Sequence, residues 1–224
     1  MAVVFDSSGT AQASGNGTSL NLTTLTVGTG SNRYILAALH WDTNTSLPSI
    51  TWDSVALSEI QTNNDGAEES DERALVAPNS GNLILAASWT SSSNVVLGAA
   101  EFSGVDQTTP RVIADDLITT GNSVTPSITI TSAPGDATLA FVTMASVPAT
   151  IDADDQTRVY LVNATGVRAG MTYALGGSSN THTWTLSASQ PWHCFGVHIK
   201  AAAAAAAAAG GFRSRIAGGL VVGG

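Results

Sequence analysis

The apolar residues of this chain come in short runs, each cut off by a cluster of Gly, Pro, Asn, Asp or Ser. That punctuation suits β-strands joined by tight turns and leaves little room for helices, which need an apolar stripe recurring every 3.6 residues. No window before residue 200 shows such a stripe with caps. Strands are expected at Ser19–Val27, Tyr34–Trp41, Ser49–Trp52, Arg73–Ala77, Leu83–Trp89 and Val95–Phe102. Others are expected at Arg111–Ile118, Ser127–Thr131, Ala137–Ala145, Arg158–Val162, Ala169–Leu175, His182–Leu186 and Trp192–Ile199. Ile35-Leu36-Ala37-Ala38-Leu39 fits a buried helix equally well by periodicity, but its brevity and turn-rich flanks favour a strand buried on both faces. About thirteen short strands with turns every 8–12 residues make the expected fold all-β, an antiparallel β-sandwich or jelly roll.

The surface such a fold would present is unusual. Of 224 residues 43% are apolar but only 11% charged, against roughly 25% charged in an ordinary domain. Thr, Ser, Asn and Gly fill the gap, which suits extracellular and virion proteins better than a cytosolic enzyme. The charge is also divided. Residues 1–199 hold all 17 acids and five arginines, a net −12, whereas residues 200–224 hold Lys200, Arg213 and Arg215 and no acid, a net +3. An acidic body argues against nucleic acid as a partner, because phosphates need basic surface to neutralise them. No apolar stretch is long enough to span a bilayer as a helix, and the first residues, Met1-Ala2-Val3-Val4-Phe5-Asp6, lack the features of a signal peptide. The expectation is assembly in a cytoplasm with no membrane partner. The single Cys194 cannot form an intrachain disulfide and reads as a small buried hydrophobe.

Composition changes abruptly after residue 200. Nine alanines, Ala201–Ala209, lead into a terminus with six Gly among its last fifteen residues. Nine alanines are too few for a stable isolated helix. Ordering the glycines costs about 1–2 kcal/mol of backbone entropy per residue, which contacts with a neighbour would have to offset. Phe212, Ile216, Leu220, Val221 and Val222 are the expected apolar anchors, with Arg213 and Arg215 the electrostatic ones, on a capsid or on sister subunits of a homo-oligomer. The organisation expected is therefore a body over 1–199 and an assembly tail over 200–224. Within the body, Leu25–Asn32 leading into Tyr34-Ile35-Leu36 resembles Ile130–Asp136 leading into Thr138-Leu139-Ala140, at an offset of about 100 residues. This suggests two related halves, about 1–110 and 111–199. The alternative is that antiparallel meanders look alike.

Sites of chemistry are hard to find. His193 and His198 lie five apart, so on a regular strand they face opposite ways and cannot share a metal. His40 and His182, beside Trp41 and Trp184, read as ordinary strand residues. No Gly-x-Ser-x-Gly elbow and no Gly-x-x-x-x-Gly-Lys loop occurs. The acidic stretch Asp65–Glu72 reads as a solvated loop, and Asp152–Asp155 as an acidic turn lacking the Gly and Glu of an EF-hand. No catalytic residue, metal or cofactor is assigned, and the chain is expected not to be an enzyme. Trp41, Trp52 and Trp89, near the ends of expected strands, are either core or a stacking platform for a glycan.

Phe102-Ser103-Gly104-Val105-Asp106-Gln107-Thr108-Thr109-Pro110 resembles a motif in a broad set of poorly characterised β-sandwich proteins of bacteriophages and bacteria. Asn32-Arg33-Tyr34-Ile35-Leu36, the Pro48–Trp52 element and the Ala133–Asp136 turn resemble further elements of that set. The resemblance covers roughly residues 20–145. It implies a β-sandwich and says little of activity, since no active site is established for the group. Within the motif, Asp106 is placed to cap local backbone N–H groups. Taken together, the expected role is a virion structural protein of decoration or head-fibre type. The rival expectation is a carbohydrate-binding module or adhesin on a virion or cell surface.

Overall fold

A computed structural model describes residues 1–13, 17–41, 48–63, 69–91, 94–145 and 149–204. Its strands in the first half are β1 Val4–Ala13, β2 Ser19–Leu22, β3 Tyr34–Trp41, β4 Ser49–Trp52, β5 Val55–Ala56, β6 Ser58–Asn63, β7 Glu69–Val76, β8 Leu85–Ser88 and β9 Val95–Ser103. A 3-10 turn, Ile113–Asp115, precedes the second half. There the strands are β10 Leu117–Ser123, β11 Ser127–Thr131, β12 Ala137–Ala145, β13 Ile151–Asp154, β14 Thr157–Asn163, β15 Val167–Leu175, β16 Ser179–Leu186 and β17 Gln190–Ile199. All pair antiparallel, so the chain is an all-β antiparallel sandwich.

The two halves share one strand order. In the first, a five-stranded sheet β1-β9-β3-β7-β6 packs on a four-stranded sheet β2-β8-β4-β5. In the second, a five-stranded sheet β10-β17-β12-β15-β14 packs on a three-stranded sheet β11-β16-β13. Strand for strand, β10, β17, β12, β15 and β14 stand where β1, β9, β3, β7 and β6 stand. In the first half β5 and β6 form one path that leaves the small sheet and joins the large one, with Leu57 buried at the crossing. Counting that path as one strand gives the order 1-8-3-6 over 2-7-4-5 of an eight-stranded jelly roll.

Alternation along β3 explains how the halves meet. Ile35, Ala37, Leu39 and Trp41 point into the first sandwich, whose core also holds Leu22, Trp52, Leu85 and Leu97. Tyr34, Leu36, Ala38 and His40 point the other way, onto the second five-stranded sheet. In β12, Ala137, Leu139 and Phe141 face that same interface, while Ala140, Val142 and Met144 face the core of the second sandwich. The result is four layers, with the two five-stranded sheets in the middle and their central strands buried on both faces. Across the interface β1 meets β14, β9 meets β15, and β3 meets β12. That is the pairing an approximate two-fold axis along the strands would give.

Four expected strands, Tyr34–Trp41, Ser49–Trp52, Ser127–Thr131 and Ala137–Ala145, agree to the residue. The structure corrects several other expectations. Arg111–Ile118 is a strand only from Leu117; before it the backbone curls into the 3-10 turn, with Arg111 paired to Asp116. Strands β1, β5, β6 and β13 were not expected. Of the acidic stretch read as a solvated loop, Glu69, Asp71 and Glu72 lie buried in β7. Lys200, Ala201 and Ala202 belong to the body and not to the tail: Val105 and Ala201 form a β-bridge.

Candidate functional site

Two groups of polar residues stand out, one inside the central interface and one at the end of β17. The first occupies a single level of the sheets. On β3 His40 pairs with Ser70 of β7, and on β12 Thr143 pairs with His193 of β17. Tyr160 of β14 lays its ring on Gly98 of β9, so close that a Cβ there would stand 2.0 Å from the ring. From that position the Tyr160 hydroxyl reaches His40 Nε2 at 3.0 Å. Glu72 lies one level deeper, with the Ser70 hydroxyl beside its carboxyl. Burial, reinforced by nearby His193, pushes the His40 pKa down to about 3 and keeps the ring neutral. Burial also pushes Glu72 up to about 8, with Asp71 adding to the shift, so its carboxyl keeps a proton at neutral pH. His40 and Glu72 are thus both held neutral between the two sheets.

The second group fixes the end of β17. His198 lies between two carboxylates, with Nδ1 2.9 Å from Asp115 and Nε2 2.8 Å from Asp136. Both contacts are hydrogen bonds when both ring nitrogens carry a proton, as in the imidazolium form. The other oxygen of Asp136 accepts the Ala201 N–H at 2.7 Å. Backbone bonds continue the grip. Lys200 N–H donates to Pro110, Asp106 N–H to Lys200, and Ala202 N–H to Gly104, all at 2.8–2.9 Å. The N-terminal ammonium donates to the Ala202 carbonyl at 3.2 Å. Asp106 caps the turn as expected, accepting from the N–H groups of Thr108 and Thr109 at 2.9 and 3.0 Å. Those two bonds, with Lys200 helping, hold its carboxyl down at about 2. The arrangement is a clasp: it ties Lys200, Ala201 and Ala202 to three separate segments.

A third feature lies on the outer face of the small sheet of the first half. Asn21, Thr51, Asp53 and Asn82 rim a groove of about 500 Å³ over Leu83, Ile84 and Ala86. Its turn is strained, since Asp53 and Ser54 take positive φ values of 48° and 67° between β4 and β5.

Of the residues singled out in the sequence, Trp41, Trp52 and Trp89 are core, with 2%, 0% and 6% of their surface exposed. Trp52 donates its indole N–H to the Asn79 carbonyl at 2.9 Å. The three contribute apolar area to the first sandwich and present no stacking face, which corrects the platform expectation. The tail anchors Phe212, Arg213, Arg215, Ile216, Leu220, Val221 and Val222 lie outside the described residues. Among the described residues no helix is long and apolar enough to cross a membrane. Sequence reasoning missed the clasp because its parts, Asp115, Asp136 and His198, are far apart in the chain and meet only through strand pairing.

No family model matches the chain, and no curated protein matches it. Among solved structures, the chain is similar to Bacillus subtilis oxalate decarboxylase at pH 4.6, with 8% identity over 83% of this chain and 68% of that one, at a TM-score of 0.24. A deletion mutant of that enzyme matches at 10% identity over 90% and 76%, with the same score. Likeness at that level carries no argument.

Proposed function

We propose that this chain is a non-enzymatic structural subunit of a particle, of the kind that decorates a phage head or forms its fibres. It docks through the segment beyond its clasp onto a capsid or onto sister subunits. The observation that carries this reading is the clasp itself. It anchors Lys200, Ala201 and Ala202 by side-chain, backbone and N-terminal contacts, just ahead of residues 205–224, which carry a net +2 against −11 for residues 1–204. A grip of that kind suits a segment that bears load. Charge of opposite sign on body and tail favours contact between the tail of one copy and an acidic surface of the next. Paired jelly rolls are a common building material of capsids, though also of lectins and cupins, so the fold supports the reading by analogy alone. On this reading the protein is assembled in the host cytoplasm and resides on the virion.

Deleting residues 205–224 tests it. The truncated chain is expected to keep its thermal midpoint and its β-sheet circular dichroism while no longer co-sedimenting with the particle. Full incorporation of the truncated chain rejects the proposal.

The groove rimmed by Asn21, Thr51, Asp53 and Asn82 supports a second reading, a glycan-binding module on a virion or cell surface. Amide, hydroxyl and carboxylate groups over an aliphatic floor are the contacts a sugar ring uses. A glycan-array signal lost on Asp53→Ala favours this reading, and the absence of any signal removes it.

A further inference from the structure

Each layer of the molecule ends in edge strands, and most of these are protected. Exposed edges offer unpaired N–H and C=O groups to other chains, and bulges, charges or shortness blunt them. In the five-stranded sheets β1 is broken in register between Phe5 and Ser7, β6 between Glu59 and Gln61, and β14 between Arg158 and Tyr160. In the outer sheets β13 is broken between Ile151 and Ala153, while β2, β5 and β11 have only four, two and five residues. Strand β10 is the exception. It has seven residues, Leu117–Ser123, pairs with β17 in unbroken register, and contains no charge and no proline. Ile113, Leu117, Ile118 and Val124 around it are exposed, Ile113 by 71% and Ile118 by 47%.

The direction of its free groups follows from one residue. Asn122 pairs with Pro191, which has no N–H to exchange, so this is a non-hydrogen-bonded pair of the ladder. Pairs alternate along an antiparallel ladder. Ile118, Thr120 and Asn122 therefore turn their N–H and C=O groups away from β17, toward the open edge.

We infer that β10 pairs antiparallel with β10 of a second copy across a two-fold axis at Thr120, joining the two five-stranded sheets into one. Centred there, Ile118 faces the partner's Asn122, Thr120 the partner's Thr120, and Asn122 the partner's Ile118. All three pairs are hydrogen-bonded pairs, and together they make six N–H···O=C bonds with no outward group left over. Like charges do not meet: in the same register Asp116 falls opposite the partner's Val124 and Asp115 opposite the partner's Thr125. A second copy therefore satisfies every open group of this edge by the same antiparallel pairing that the rest of the fold uses.

The interface is separate from the tail docking proposed above, and its test reads the edge alone. Sedimentation of the full chain is expected to give a dimer. Thr120→Pro removes an N–H that faces outward and leaves the bonds to β17 intact, as edge-strand proline does. It is expected to weaken dimerisation by roughly thirty-fold, the effect of two lost hydrogen bonds, with an unchanged thermal midpoint. Thr120→Cys is expected to cross-link two chains under mild oxidation, because facing Cα atoms of a hydrogen-bonded pair stand about 5.5 Å apart, within disulfide reach. The native Cys194 is buried and does not compete, and Ser8→Cys on the bulged edge is the control expected to stay single. A monomeric full chain, a dimer dissociation constant unchanged by Thr120→Pro, or a Thr120→Cys chain that cross-links no better than Ser8→Cys overturns the inference. Loss of particle docking on tail deletion with the Thr120→Cys cross-link intact bears only on the tail.

Discussion

The two halves of the molecule share a strand order but not a chemistry, and the contrast is sharpest where they touch. The first sheet presents large side chains at one end of the interface, Tyr34 and Phe102, and small ones in the middle, Ala38, Gly98 and Ala100. The second does the reverse. Ala137 stands at the level of Tyr34, while Phe141 and Phe195 fill the middle, their rings 6.1 Å apart and nearly parallel at 19°. Volume given up by one sheet is taken by the other, as close packing demands. On the next strand of each sheet the difference is polar. Where the second half has Ala169 and Met171 on β15, the first has Ser70 and Glu72 on β7. A chain whose halves were alike would clash at one end of this interface and leave a void at the other. Divergence between the halves is thus what lets them pack face to face.

Removing the large member of this complementary pair should have the largest effect. Phe141→Ala leaves a cavity between two sheets that cannot collapse onto it, and a loss of about 4 kcal/mol is expected in chemical denaturation. Enlarging the small member comes next. Gly98→Ala drives a methyl into the buried Tyr160 ring, and about 2–3 kcal/mol of overpacking strain is expected. Combining Gly98→Ala with Tyr160→Leu should recover part of that loss. Strict additivity of the two changes would show that Gly98 and Tyr160 do not share the space assigned to them.

The polar level sets the pH dependence. Glu72 has a folded pKa near 8, well above its value of 4.5 in a free chain. Between those values the folded state holds a proton that the unfolded state has lost, so stability falls as pH rises, by at most about 1.4 kcal/mol per unit. Burial holds Glu101 up in the same direction, at about 7. His40 and His182 act on the other side, with pKa values pushed by burial from 6.5 to about 3 and about 4. Below 6.5 the unfolded state takes up protons that the folded state refuses, and stability falls as pH drops. The opposing slopes nearly cancel between 4.5 and 6.5, and above 6.5 the acids act alone. Glu72→Gln should therefore flatten the alkaline arm between pH 6.5 and 8, a relative gain of about 2 kcal/mol at pH 8 in urea melts. An unaltered alkaline arm would mean that Glu72 is ionised in the fold.

How much of this was legible in the sequence depended on where each strand lies. Strands buried on both faces, such as Tyr34–Trp41 and Ala137–Ala145, announce themselves as unbroken apolar runs. Edge strands do not. Ser58–Asn63 and Ile151–Asp154 are polar enough to pass for loops, and their place is fixed by pairing with β7 and β16 rather than by their own residues. The acids of β7 were misread for a further reason. A run of carboxylates signals solvent only if all are charged, and burial beside apolar neighbours raises the pKa of Glu72 and Asp71. The tryptophans were ambiguous between core and platform until the sheets closed over them. Asp106 was a turn signal read correctly, because its turn involves residues close to it in the chain.

The clasp differs from what stands at the same place in the first half. The site of β9 equivalent to His198 carries Glu101, a buried acid beside Asp6 and Arg33, and β9 leads onward into the motif that the clasp grips. Asp115→Asn tests whether this asymmetry matters to stability or only to the exit of the chain. The substitution removes the charge on one side of His198 but leaves Asp136 holding both the ring and the Ala201 N–H. A loss of only about 1 kcal/mol is expected, since one charge-assisted bond at a half-buried site is replaced by a neutral one. Amide exchange at Ala201 and Ala202 should nevertheless quicken, because the ring that braces Asp136 is held less firmly once its Asp115 carboxylate contact is gone. Exchange unchanged at those two amides, with stability lowered, would assign His198 to holding β17 in its sheet and not to holding the chain's exit.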